Sequence, residues 1–328
     1  MRILIFGRGV ISTQYAWALE KAGNEVIFYV RPGKMQQYKP YVNLDILDGR
    51  KHRKGLQIIE KWQVKMIEEI NPEHNYDLIL ISVNHNQLEE AAKIVGSNTG
   101  NATVLIFNNI WANLRSIATY FPKRQLLWGF PGGGGGYSNK QSLKGGIMKT
   151  VFLESEPVSV KDRYRKVLSM FQNAGFSVMQ QKDMQSWLWD HFLMNVAMSV
   201  QVMKVGSHQK LYHSKTDLKD MILLIKEMTP LIYKKGGTPG FLTRILTKIP
   251  IGMAAWLLQK ATSDESLAGN IMLRMEESGH ATDDMNSQYI KEIIDDAHKF
   301  GLKSEIMDML QLYTLPTEAR HESMYTSL

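Results

Sequence analysis

Two groups of residues in this sequence are of types that do chemistry. The first is His191, Asn195 and Ser199, spaced i, i+4 and i+8 in a stretch, Met184 to Val205, otherwise rich in Trp, Leu, Met and Val. On a helix that spacing makes one polar stripe. An imidazole titrates near neutrality and can deliver a proton; an amide and a hydroxyl can orient a carbonyl or carboxylate. Buried polar groups left unpaired cost about 1–3 kcal/mol each, so the stripe needs partners. Neighbouring helices could supply them, or a ligand in a cleft between domains could. The second group is Gly7-Arg8-Gly9-Val10-Ile11-Ser12, a turn of the kind that brings backbone N–H groups to phosphate oxygens.

The elements that must position this turn are legible around it. Arg2 to Phe6 is a β-favouring run, Thr13 to Ala22 has helical periodicity closed by Gly23-Asn24, and Glu25 to Val30 is a second β run. Strand, glycine turn, helix, strand opens a dinucleotide-binding βαβ unit. Gly7 permits the sharp exit from the strand, and Gly9 keeps a Cβ away from a pyrophosphate. The N–H groups of Val10 to Ser12 then point at the phosphates, with the helix dipole behind them. Ser12 stands where the fingerprint has its third glycine, and serine is small enough to keep helix and strand close. The second strand ends in Val30-Arg31-Pro32-Gly33. An acidic residue there would bond the ribose 2′-hydroxyl of NAD, whereas Arg31 suits a 2′-phosphate. NADP(H) is therefore the expected cofactor.

Composition narrows the class. A chain of 328 residues, 44% apolar and 22% charged, is globular and long enough for two domains. Cysteine is absent, which excludes disulfides, thiolate metal sites and cysteine nucleophiles; no metal is expected. The first strand starts at Arg2, so no signal peptide is expected, and no apolar run reaches the ~18 residues of a membrane span. A cytoplasmic location follows as an expectation. The net charge of +7 is scattered apart from Arg50-Lys51-His52-Arg53-Lys54, read as a hairpin tip. No basic face interleaved with aromatics marks a nucleic-acid binder, and an anionic cofactor and substrate account for the bias.

Further along, a hairpin excursion is expected between Gly33 and Val64. Asp77 to Val83, Thr103 to Phe107 and Leu126 to Phe130 read as buried strands. The polar exits Asn84 to Gln87 and Asn108-Asn109 then face the same crevice as the glycine turn, because open α/β sheets bind ligands at strand carboxyl ends. Gly132 to Gly136 is five glycines with no P-loop lysine; it reads either as a flexible loop or as a loop lying against cofactor or substrate. Thr150 to Leu153 is a strand, Lys161 to Asn173 a helix and Phe176 to Gln181 the last strand. From Met184 onward the pattern is helical, with Ser263 expected to cap one helix and Thr282 another, Asp283 to Phe300.

With these elements in place, the chain resembles the ketopantoate reductase family over nearly its whole length. The resemblance rests on Met1-Arg2-Ile3 leading into Gly7-x-Gly9, Gln87 after the third strand and Asn109 after the fourth. A helix near Trp189 and a late helix ending at Gly301-Leu302 complete it. It implies a Rossmann domain followed by a helical domain, with the active site between them and hydride delivered from NADPH to a 2-keto acid. Asn109 matches an asparagine that contacts cofactor and substrate, although Ile110 follows it in place of glycine. Gln87 matches a cofactor-loop glutamine, with Asn84 where a lysine is expected. Asn195 matches the first substrate asparagine and Ser199 replaces the second. His191 occupies the place of the catalytic lysine, as in one branch of the family. Gly279 to Asp283 resembles the segment carrying a family glutamate; Asp283 is assigned to that place, although an ungapped count back from Gly301 would put Met285 there.

The expected fold is thus α/β, with a Rossmann-type dinucleotide-binding domain over residues 1–183 and an all-helical substrate or dimerisation domain over 184–328. The expected function is NADPH-dependent reduction of a small 2-oxo acid or related carbonyl. His191 would act as general acid, and Asn109, Asn195 and Ser199 would orient the substrate. Gly7 to Ser12, Arg31, Asn84, Gln87, Asn109 and Asp283 would hold the cofactor. The alternative is a non-catalytic NADP(H)-binding sensor or scaffold. The expected partner is a small anionic carbonyl compound, with neither nucleic acid nor membrane, and a homodimer is left open.

Overall fold

Ile3 to Phe6 are apolar at every position, so the strand they form must be covered on both faces. In the computed structural model, which describes residues 1–279 and 283–302 (the side chains of 283–287 excepted), this strand lies inside a sheet, flanked by a strand on each side. The chain runs β1 (Arg2–Phe6), α1 (Val10–Lys21), β2 (Glu25–Tyr29), β3 (Tyr41–Asp48), β4 (Leu56–Gln63), β5 (Met66–Ile67) and β6 (Leu78–Ile81). It continues with α2 (Leu88–Gly96), β7 (Thr103–Phe107), α3 (Leu114–Ala118), β8 (Leu126–Phe130), β9 (Gly133–Asn139), β10 (Ser142–Ile147), β11 (Thr150–Glu154), α4 (Lys161–Asn173) and β12 (Ser177–Gln181). The helices α5 (Met184–Val205), α6 (His208–His213), α7 (Lys215–Lys234), α8 (Phe241–Lys248), α9 (Ile251–Ala261), α10 (Leu267–Glu277) and α11 (Asp283–Lys299) follow.

The main sheet has the order β12-β11-β8-β7-β6-β1-β2-β5 and is parallel apart from the β8/β11 pair. From β5 to β8 this is the doubly wound order of a dinucleotide-binding fold, whose direction of winding reverses between β1 and β6. Phe6 is in register with Tyr29 on one side and Ile81 on the other. Three strands therefore end level with one another where the glycine turn begins.

A second sheet, β4-β3-β10-β9, was not legible as a sheet in the sequence. The expected excursion after Gly33 is its β3/β4 hairpin. The five glycines belong to it as well, which corrects both readings of that run: they form neither a flexible loop nor a loop laid against a ligand, but enter β9, paired antiparallel with β10. Close packing explains their composition. A Cβ on Gly145 would come within 2.4 Å of the Gly134 carbonyl, and one on Gly134 within 2.7 Å of Met275 Sδ. Gln14 Nε2 donates to the Gly134 carbonyl at 2.9 Å, fastening the run to α1.

The described chain divides into two compact units, residues 1–184 with 270–279, and residues 185–269 with 283–302. The segment 270–279, expected in the helical half, belongs to the first unit. Arg274 Nη1 bonds both the carbonyl and the carboxylate of Asp45 at 2.8 Å, and Lys144 pairs with Glu277. Within the helical unit, α5 and α7 bury apolar faces that include Phe192, Val196, Ile222 and Ile225. Ser266 rather than Ser263 caps α10, accepting from Gly269 N at 2.9 Å, because residues 263–266 close a turn of their own. Thr282 lies outside the described residues. No helix among the described residues is long and apolar enough to cross a membrane.

Candidate functional site

In the first unit, the level ends of β1, β2 and β6 open into a cleft of about 450 Å³. Gly7 leaves β1 with φ +89°, a conformation that side chains resist, while its N–H donates to Tyr29 O at 2.9 Å. Gly9 is different. A Cβ there would meet nothing nearer than Ser82 O at 3.7 Å, so packing within the protein does not demand glycine, and the space beyond it is free for a ligand. Val10 and Ile11, first in α1, also line the cleft, with their N–H groups outside the helical ladder, which starts with Thr13 N to Gly9 O at 3.0 Å.

Arg8 lines the same cleft and is only 7% exposed. Its Nη2 donates to Tyr41 O at 2.7 Å, and its guanidinium lies 4.8 Å from the centre of the Tyr38 ring. Nε and Nη1 are buried with no partner among the described residues. Burial pushes its pKa below the ordinary arginine value. Arg31 and Lys34, just beyond β2, line the cleft as well. Against these three cations the described lining has one carboxylate, Glu90. Asn84 and Gln87, on the turn after β6, complete the wall.

Ser12 does not face the cleft. It is fully buried, and its hydroxyl donates to Ser82 O at 2.9 Å, tying α1 to the end of β6 where a third glycine would only have allowed close approach. Asn108 clamps the ends of β6 and β7, bonding the carbonyl and N–H of Val83 at 2.7 and 3.3 Å. Its neighbour Asn109 is not among the cleft residues, yet both polar atoms of its amide are buried without a partner among the described residues. Such orphaned groups in a native fold call for a ligand or water. Lys34, Tyr38 and Tyr137 are cleft residues that sequence reasoning missed. Lys34 carried a signal, a second cation beside Arg31 across the Pro32-Gly33 turn. Tyr38 and Tyr137 carried none, since their positions depend on the second sheet.

In the helical unit, α5 is one continuous helix of 22 residues, so His191, Asn195 and Ser199 do share one stripe. The His191 ring stacks on Trp187 at 5.4 Å with an interplanar angle of 3°. Burial holds its pKa down at about 4, so the imidazole is neutral at pH 7. Ser199 is buried and Asn195 half-buried. The Asp283 side chain lies outside the described residues, and no metal-binding group of His, Asp or Glu occurs among the described ones.

Comparison with known proteins agrees with this geometry. Residues 3–141 match the family described as "Ketopantoate reductase PanE/ApbA". A PanE/ApbA family ketopantoate reductase from Ralstonia eutropha superposes with a TM-score of 0.70, at 14% identity over 99% of this chain and 100% of that one. The chain has the ketopantoate reductase fold. A 2-dehydropantoate 2-reductase from Geobacter metallireducens gives 0.66 at 14% identity, over 96% and 99% of the two chains. D-mandelate dehydrogenase, in a ternary structure with NADH and anilino(oxo)acetate, gives 0.72 at 15% identity over 99% of both. No curated protein sequence matches the chain. This reductase fold is a dinucleotide-binding one, and the cleft fits that group: a turn free of Cβ atoms, open helix N–H groups and an unpartnered buried cation.

Proposed function

We propose that the chain is an NADP(H)-dependent reductase of a small 2-oxo acid or related carbonyl compound, a divergent member of the ketopantoate reductase family with His191 in the lysine position. The observation that carries this reading is the cationic cleft at the switch point of the sheet, with Arg31 and Lys34 at the end of β2, where a ribose 2′-phosphate would lie. The relative in fold bound to NADH and anilino(oxo)acetate supports the reaction class. When bound, NADPH supplies the hydride that the carbonyl carbon accepts.

The protein's own part is to bind, orient and protonate. Gly7 to Ile11 receive the diphosphate, and Asn84, Gln87 and Asn109 hold the nicotinamide half, with Asp283 as a further cofactor contact. Asn195 and Ser199 fix the substrate. His191, neutral at pH 7 when no ligand is present, gains its proton when a substrate carboxylate sits beside it, since an adjacent anion favours the charged imidazolium. The bound acid thereby charges the group that will protonate the new alkoxide, and a neutral ester would not.

The test is NADPH oxidation against a panel of 2-oxo acids and their methyl esters. His191→Ala should lower kcat by about 10²–10⁴-fold, and the esters should turn over poorly. Equal turnover by both proteins removes His191 from the mechanism. Tight NADPH binding with no turnover on any carbonyl would support the sensor reading instead.

A further inference from the structure

Arg8 sits between Gly7 and Gly9, where a phosphate needs only the backbone. Its side chain is nevertheless more than nine-tenths buried, and among the described residues no carboxylate bonds it. A charge taken out of water without a counter-ion is strongly unfavourable. The fold tolerates this one by fixing one edge of the guanidinium on the Tyr41 carbonyl and laying the Tyr38 ring over its face. Cation–π attraction is a weak substitute for an anion. Two donors, Nε and Nη1, remain open.

We propose that Arg8 is the counter-ion of the cofactor's diphosphate and that Tyr38 keeps its place until the diphosphate arrives. The assignment rests on the dinucleotide reading above. Nε and Nη1 are buried beneath this cover, so an anion reaches them only if the ring moves aside, and the charge-assisted bonds it then makes, roughly twice as strong as neutral ones, outweigh the ring contact. Two tasks are thereby divided within one cleft. Arg8 answers the diphosphate, which NAD and NADP share, and so sets affinity for both. Arg31 and Lys34 answer the 2′-phosphate and so set the preference between them. In the ligand-free protein Arg8 is a cost to stability, recovered on binding.

The experiment is titration calorimetry of the full chain with ADP-ribose and with adenosine 2′-monophosphate, alongside thermal melts of the ligand-free protein. Wild type, Arg8→Met, Arg8→Lys and Tyr38→Leu are compared. Arg8→Met should bind ADP-ribose about 30-fold more weakly, bind adenosine 2′-monophosphate as wild type does, and melt no lower. Arg8→Lys should recover part of the loss, which separates charge from any disturbance of folding. Tyr38→Leu should keep ADP-ribose affinity, because the ring has to leave. A lower melting temperature for Arg8→Met with ADP-ribose affinity intact makes Arg8 a structural cation and overturns the assignment. Equal losses for Tyr38→Leu and Arg8→Met overturn the placeholder role. If wild type binds no ADP-ribose at all, the dinucleotide reading itself fails, and that result is distinct from the other two.

Discussion

Two arginines are buried in the amino-terminal unit, and the fold treats them in opposite ways. Arg50, after β3, gives Nε and Nη2 to the two oxygens of Asp48 at 2.9 and 2.8 Å and Nη1 to the Ala174 carbonyl at 2.8 Å. It also lies over the rings of Trp17 and Phe176. Each of its three guanidinium nitrogens is bonded. Arg8 has one nitrogen bonded and two open. A cation answered on all sides fastens a structure; one left half-answered beside a cleft is prepared for something else. The difference separates what holds this unit together from what it is built to receive.

The largest effect should come from Arg50. Arg50→Ala leaves the buried Asp48 carboxylate without its cation and with only the residue-50 backbone N–H, and should destabilise the protein by about 3–5 kcal/mol in denaturant melts. The protein that stays folded should bind ADP-ribose normally. A small stability change joined to a loss of ligand affinity would invert the contrast between the two arginines.

His191 extends the contrast to α5, where burial holds the imidazole's pKa down. Its pKa of about 4 lies below the ordinary 6.5, so between those values the unfolded chain holds the proton and the folded one does not. Stability is therefore complete above pH 6.5 and falls as pH drops toward 4, by up to about 3 kcal/mol from this one group. Thermal melts of wild type and His191→Gln across that range should diverge, with the variant losing less. Parallel curves would mean that the imidazole titrates normally and is not desolvated.

Much of the fold was legible in the sequence. The continuous apolar runs at Ile3 to Phe6, Thr103 to Phe107 and Leu126 to Phe130 became buried parallel strands, because no other element covers both faces of such a run. The helix Met184–Val205 also has the expected limits. The second sheet was not legible, since glycine carries no β signal and the run at 132–136 is strand only through what packs on it. Local pattern likewise could not show that 270–279 joins the first unit, which depends on the distant pairing of Arg274 with Asp45. In the cleft, spacing placed Gly7, Gly9, Arg31, Asn84 and Gln87 where the structure has them. Ser12 is not among the cleft residues, since its hydroxyl bonds the Ser82 carbonyl and holds α1 close to β6, and spacing gave no sign of Tyr38. Arg50 stood in a basic run read as a hairpin tip and Arg8 in the turn expected to hold the cofactor, and spacing showed neither the bonding of the one nor the burial of the other.

The smallest of these effects bears most directly on the central claim, that a phosphorylated dinucleotide occupies the cleft at the ends of β1, β2 and β6. It is read by calorimetric titration of NADP⁺ and NAD⁺ against the full chain and against the Arg31→Ala/Lys34→Ala variant. Wild type should prefer NADP⁺ by about tenfold or more, the worth of one charge-assisted contact, and the double variant should bind the two alike. Equal affinities in wild type, a preference for NAD⁺, or no binding of either would contradict the account.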